Sequence, residues 1–260
     1  MLNPHTSVAI AQVIFFVPIV PIAIFILAKN WKNRPRLAWY PLVTFSLLRL
    51  AGGIITIIRD QHPTNIGLII AATVLLNVGI IPLLLSLIGI TRIVLKSSVD
   101  KNQRAQKCLK AIRIAFIAAI ALLVASGGLS GSSSTATVTR SLAQAGYVVL
   151  GVVLALTALE LLHLFTQKDR ICPNAFIYVE FALLSIPMLA LRTAYGLLYE
   201  FTIKDLSTIW NPLSGSAVAF ALMCLLSEYL ALLLFIYLGF HRMKHNLGEM
   251  QKVATGGDVA

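Results

Sequence analysis

Residues 45–60 read FSLLRLAGGIITIIRD. The run is apolar enough for a membrane-spanning helix, yet Arg49 sits in its middle and a Gly52–Gly53 pair follows it. A cation at bilayer depth costs about 2.5–3.5 kcal/mol on insertion scales, and such residues face the interior of a bundle with a partner. The same oddity recurs in ALRTAYGLLYEF (190–201), which carries Arg192, and in LLSEYLALLLF (225–235), which carries Glu228.

Working outward, the chain has 260 residues, 58% hydrophobic and only 12% charged. Soluble domains carry about 25% charged residues. Apolar runs near the roughly 20 residues that cross a hydrocarbon core recur along the sequence. They predict an all-α, polytopic bundle of seven transmembrane helices, over 6–28, 37–58, 66–95, 109–128, 145–167, 174–201 and 214–240. Residues 1–245 form one domain, and 246–260 read as a short flexible cytosolic tail. The small, polar segment 126–140 reads as a loop.

The formal net charge is +11. Lys and Arg gather in the connections 29–36, 92–113 and 167–173 and in the C-terminal tail, whereas the opposite side carries only Arg59, Arg140 and Lys204. This bias predicts an outside or lumenal N-terminus and a cytosolic C-terminus. It also explains the positive charge without nucleic acid. The expected partners are the lipid bilayer and, as the family resemblance given below implies, an apolar, prenylated small molecule. The expected membrane is the endoplasmic reticulum. Cys108, Cys172 and Cys224 have no paired or metal-type spacing, so no disulfide, metal or cofactor is expected.

Chain direction assigns depth. Arg49, Asn77, Arg192, Tyr195 and Glu228 share a central-to-lumenal layer, with Tyr199 four residues beyond Tyr195 on one helix face. Asp60, His62, Glu200 and Asp205 fall at its mouth. Pro187 is expected to kink the sixth span. The candidate acids are Glu228, Asp60 and Glu180; Glu180 has no obvious cation at its depth. Arg49, Asn77, Arg192, Tyr195 and Tyr199 are the candidate substrate-binding residues. Glu160 and His163 form a second pair, three apart in LELLHLF. Bland readings stand beside these. Arg49 with Glu228 makes a structural staple, Asn77 an interhelical hydrogen bond, and Glu160 with His163 a wetted interfacial pair.

FSLLRLAGGIITI, LALRTAYGLLYEF and SEYLALLLFIYLGF together resemble a fungal family of small seven-helix membrane proteins. Size and topology are also similar to the membrane-bound terpene cyclases of fungal meroterpenoid pathways. That resemblance implies an acid-initiated, metal-independent cyclisation in an intramembrane pocket, with Glu228 matching the late acid. Spans two to four carry no mid-membrane acid; Asp60 is the nearest. The alternative is a seven-helix sensor, receptor or transporter of an amphipathic small molecule, without catalysis. The sequence shows no internal repeat and predicts no broken helix, which weighs against a transporter.

Overall fold

The structure, a computed structural model, describes residues 3–31, 36–62, 64–97, 103–129, 136–168, 173–202 and 208–256. Cys172 and Asp205 lie outside the described residues, as does the side chain of Asn77. Seven helical spans are long and apolar enough to cross a membrane: Pro4–Lys29, Arg36–Gln61, Ile66–Leu95, Gln106–Leu129, Ala136–Thr166, Asn174–Thr202 and Ala217–Met243. Large apolar side chains stand exposed on the outer surface, among them Ile14, Leu159 and Val218. On a soluble protein such a surface would aggregate; against acyl chains it is solvated. The chain is an all-helical, multi-pass membrane protein.

Backbone groups in lipid must find partners inside the protein. Helix α1 (Pro4–Lys29) starts with Pro4 in its first turn, and the Asn3 side chain accepts from the His5 N–H at 3.2 Å. Helix α2 (Tyr40–Gln61) follows a single 3₁₀ turn at Arg36–Ala38. Four buried hydroxyls satisfy themselves on their own helices. Ser46, Thr56, Thr157 and Thr193 each donate to the carbonyl four residues back, at 2.7–2.8 Å.

The third span differs from the expected single long helix. It consists of α3 (Ile66–Val78) and α4 (Ile80–Ser97), which meet at Gly79. The signal is legible in NVGIIP (77–82). Pro82 has no N–H to offer the Val78 carbonyl, and Gly79 propagates a helix poorly. The premise that no span is broken is therefore corrected.

Helices α5 (Gln103–Leu129) and α6 (Ala136–Thr166) shorten the expected 126–140 loop from both ends. The Ser126 hydroxyl donates to the Thr139 carbonyl at 2.8 Å. A Cβ on Gly146 would lie 2.7 Å from Leu123 Cγ, so α6 is close enough to α5 there for small residues to be needed. Helix α7 (Pro173–Thr202) runs through Pro187 without interruption. The last span opens with three α-helical residues, α8 (Ala217–Ala219), widens into a π-helical turn over Phe220–Leu226, and continues as α9 (Ser227–Gly256). The helical backbone thus extends past residue 245.

The main core gathers Phe16, Phe45, Leu83, Phe116, Val179 and Phe235 from six different helices. Gly89 fixes its closest backbone contact. A Cβ there would lie 2.6 Å from the Ala38 nitrogen and 2.7 Å from its Cα. Backbone cannot swing aside as a side chain can. Gly89→Ala is expected to cost about 1–3 kcal/mol, towards the upper end, read as a lowered Tm in detergent; an unchanged Tm would mean α4 slides freely past the 3₁₀ turn.

Candidate functional site

Arg49 of α2, Arg192 of α7 and Glu228 of α9 converge at one point inside the bundle. Glu228 Oε1 accepts from Arg49 Nη2 at 2.5 Å and from Arg192 Nε at 2.5 Å. All three side chains are 0–1% exposed. The Leu76 carbonyl accepts from the same two arginines, at 3.2 Å from Arg49 and 3.1 Å from Arg192. The break at Gly79 makes this possible. Leu76 lies in the last turn of α3, whose carbonyls have no partner further along the helix. That end also carries the negative pole of the helix dipole.

Gly79 has a second role. A Cβ there would lie 2.6 Å from Arg49 Nη2 and 2.8 Å from its Cζ. The guanidinium rests on bare backbone. Gly79→Ala is expected to push it off the Leu76 carbonyl, at a cost of about 1–2 kcal/mol because the obstructing group is a side-chain end. Combined with Arg49→Met the cost should vanish. A double-mutant cycle by thermal melting checks this, and additive effects would refute the contact.

The π-helical turn supplies the remaining wall. Cys224 lies within it, and Arg49 Nη2 approaches its Sγ at 3.5 Å, while the thiol points to Glu228 Oε1 at 3.8 Å. Wide turns of this kind gather at functional sites because they aim side chains that a regular helix would turn away. Gln12 of α1 is buried and donates to the Arg49 carbonyl at 2.5 Å. Helix α1 reaches that point over Gly53, where a Cβ would sit 2.9 Å from Val13.

Electrostatics leave a surplus. Two arginines and one glutamate sum to +1, in surroundings where a lone charge is costly. The half-helix end at Leu76 offsets about half a charge. Several polar atoms are buried here without a hydrogen-bond partner: Arg49 Nε and Nη1, Glu228 Oε2 and Tyr195 Oη.

Towards the face that carries the N-terminus lies a small cavity lined by His5, Gln12, Thr56, Leu76, Pro212 and Phe220. It offers about 10 Å³ to the centre of a water molecule, room for roughly one water. Beside it Tyr195, Leu76, Phe220 and Cys224 pack as a separate apolar cluster, flanked by Val8, Trp210 and Leu213. The Tyr195 ring meets Trp210 and Phe220, each at 6.1 Å between centroids. The connection over 208–216 closes this region. The His5 ring Nε2 contacts the Gly215 carbonyl at 2.9 Å, and Arg59 Nη2 donates to the Leu213 carbonyl at 3.4 Å.

The structure thus brings together Arg49, Arg192, Tyr195 and Glu228. Tyr199 is buried one turn beyond Tyr195. Other candidates lie elsewhere. Asp60 is exposed and accepts from the Thr6 hydroxyl at 2.8 Å, at the start of α1. Glu180 is exposed on α7, and Glu200 is buried near the end of that helix. Glu160 is buried, whereas His163 is exposed and bonds Gln167 at 3.1 Å. Sequence reasoning missed Gln12, Cys224, His5 and the Leu76 carbonyl. Among the described residues, no group of three or more His, Cys, Asp or Glu side chains is placed to hold a metal ion.

No curated protein and no solved structure matches the chain. One family model does, described as a domain of unknown function, DUF7702, over residues 2–245. That match covers all seven membrane-crossing spans and every residue of the buried cluster, and the chain belongs to the DUF7702 family.

Proposed function

We propose that the protein is a membrane-embedded binding protein, a sensor or carrier, for an amphipathic small molecule whose polar head is received by Arg49, Arg192 and Glu228. The observation that carries this reading is the site's stoichiometry. A structural staple needs one arginine per carboxylate, and here two buried arginines share one oxygen of Glu228. A surplus cation, an unpartnered phenol and an unpartnered carboxylate oxygen beside an apolar aromatic cluster suit a head and a tail. The charge bias of the connections supports a mouth on the outer or lumenal side.

Acid-initiated terpene cyclisation is the competing reading. It needs a carboxylic acid facing the substrate. Glu228 Oε1 instead accepts from two guanidinium groups, and Asp60 and Glu180 are exposed away from the cluster. This counts against the cyclase.

The test uses purified protein in lipid nanodiscs, incubated with dodecyl amphipaths and with prenylated phenols and their epoxides. Thermal melting and product mass spectrometry are read together. A ligand-dependent rise in Tm with substrate recovered unchanged supports the binding protein. A cyclised isomer of unchanged mass, lost in Glu228→Gln but not in a melting-matched control, would establish the cyclase. No shift and no product would leave the cluster as a structural staple.

A further inference from the structure

We infer that the head recognised by this site is a carboxylate, borne on a chain long enough to lie along the apolar cluster of Val8, Trp210, Leu213 and Phe220. The inference rests on the binding reading above and narrows it to a ligand class.

Three observations carry it. The first is charge. The cluster sums to +1 before the helix end is counted, and its arginines are sealed from solvent. A monoanion neutralises that surplus, a neutral head does not, and a cationic head adds to it. The second is the inventory of unused groups. Arg49 Nε and Nη1 carry three N–H donors between them, and Tyr195 Oη carries one O–H. Against these four donors, among the described side chains of the site, stand two unused acceptors, Glu228 Oε2 and the same Tyr195 oxygen. A donor-rich set of this kind complements an acceptor-only head, and a carboxylate is acceptor-only. The third is the shape of the surroundings. The cluster beside the arginines has apolar and aromatic walls, from Phe220 and Trp210 packed on Tyr195. A small hydrated anion gains nothing there, whereas an alkyl chain does.

The cavity in hand has room for roughly one water. The ligand therefore needs the connection over 208–216 to shift. Among the described residues its polar ties to the opposing helices are His5 to Gly215 and Arg59 to Leu213, with Trp210 resting on Tyr195. Arg59 and His5 stand at this mouth, with the Asp60 carboxylate beside them on the Thr6 hydroxyl.

Isothermal titration into protein-loaded nanodiscs, with empty nanodiscs as the blank, distinguishes the possibilities. The probes are dodecanoate, dodecanol, dodecyltrimethylammonium and acetate. Dodecanoate is expected to bind at least tenfold more tightly than dodecanol, with no measurable acetate or dodecyltrimethylammonium binding. In Arg49→Met, shown by melting in the same preparation to be folded, the preference for dodecanoate over dodecanol should fall to about onefold. In Tyr195→Phe it should fall severalfold with the melting temperature unchanged. Equal binding of dodecanol and dodecanoate would overturn the carboxylate inference and leave the binding reading intact. Equal binding of acetate would overturn the chain. Binding of none of the dodecyl probes would overturn both.

Discussion

Glu228→Gln is expected to collapse the folded yield, while Arg49→Met lowers it only modestly. Both changes remove one charge from the same buried cluster, so a plain count of lost contacts would rank them alike. Charge balance separates them. With glutamine at 228, Arg49 and Arg192 remain as two buried cations beside the Leu76 carbonyl, the Cys224 thiol and the end of α3, none of which carries a full negative charge. Removing the counter-charge of a buried pair costs about 3–5 kcal/mol, because the charge left behind must be desolvated alone. With methionine at 49, Arg192 and Glu228 remain as one pair, held by the 2.5 Å hydrogen bond between them. What is lost is interhelical hydrogen bonding, worth about 0.6 kcal/mol on average in membranes and at most about 1.7. Thermal or SDS-induced unfolding of the two variants in one detergent checks this. Equal destabilisation would refute the claim that the site holds a surplus cation.

The same contrast bears on what the cluster is for. If it were only a staple, Arg49→Met would leave a simpler staple of matched charge, at a small cost in stability and with nothing else to lose. If it receives a ligand, Arg49→Met keeps the fold and loses the ligand. Stability and binding move together in the first case and apart in the second.

Much of the architecture was legible because lipid imposes hard rules. Apolar runs of the right length had to be helices, and each sequence-predicted span finds its counterpart in the structure. Depth followed from chain direction alone, and it placed Arg49, Arg192 and Glu228 at one level. Depth does not say which face of a helix a residue occupies. Glu180 illustrates this: three helical turns before Arg192 on the same helix, it is exposed rather than buried. Nor does side-chain arithmetic register backbone. The acceptor shared by both arginines is the Leu76 carbonyl, and no residue type announces a carbonyl. Its availability was written in the Gly79 and Pro82 pairing, a signal easily lost inside an otherwise strong apolar run. Gln12 was lost for a different reason. One polar residue in a span this apolar reads as tolerated, and its hydrogen bond to the Arg49 carbonyl depends on how closely α1 crosses α2.

Deleting Leu222 is expected to leave the protein as stable as before, or more so, and to weaken carboxylate binding at least about tenfold, equivalent to 1.4 kcal/mol. The π-helical turn Phe220–Leu226 holds one residue more than an α-helix would need over the same rise. Leu222 is exposed to lipid, so its loss removes little packing. Without it the segment can close into regular α-helix, with Ser216 still capping the start at the Ala219 N–H and Glu228 still in register beyond the end. Such a closure regains backbone hydrogen bonds in a medium where each one counts. It also turns Cys224 away from Arg49 and Glu228, and shifts the wall formed with Phe220 and Tyr195. An irregularity that weakens a helix persists when the site needs what it presents, so stability and function should part on its removal. Melting and dodecanoate titration on one preparation decide it. Binding retained at wild-type strength would make the wide turn incidental to the site. The argument extends to the third span. There the break at Gly79 frees the Leu76 carbonyl for the two arginines, just as the wide turn frees Cys224. One irregularity withdraws a carbonyl from the helical ladder and the other re-aims a thiol, and both point at one buried cluster, a convergence that packing alone does not require.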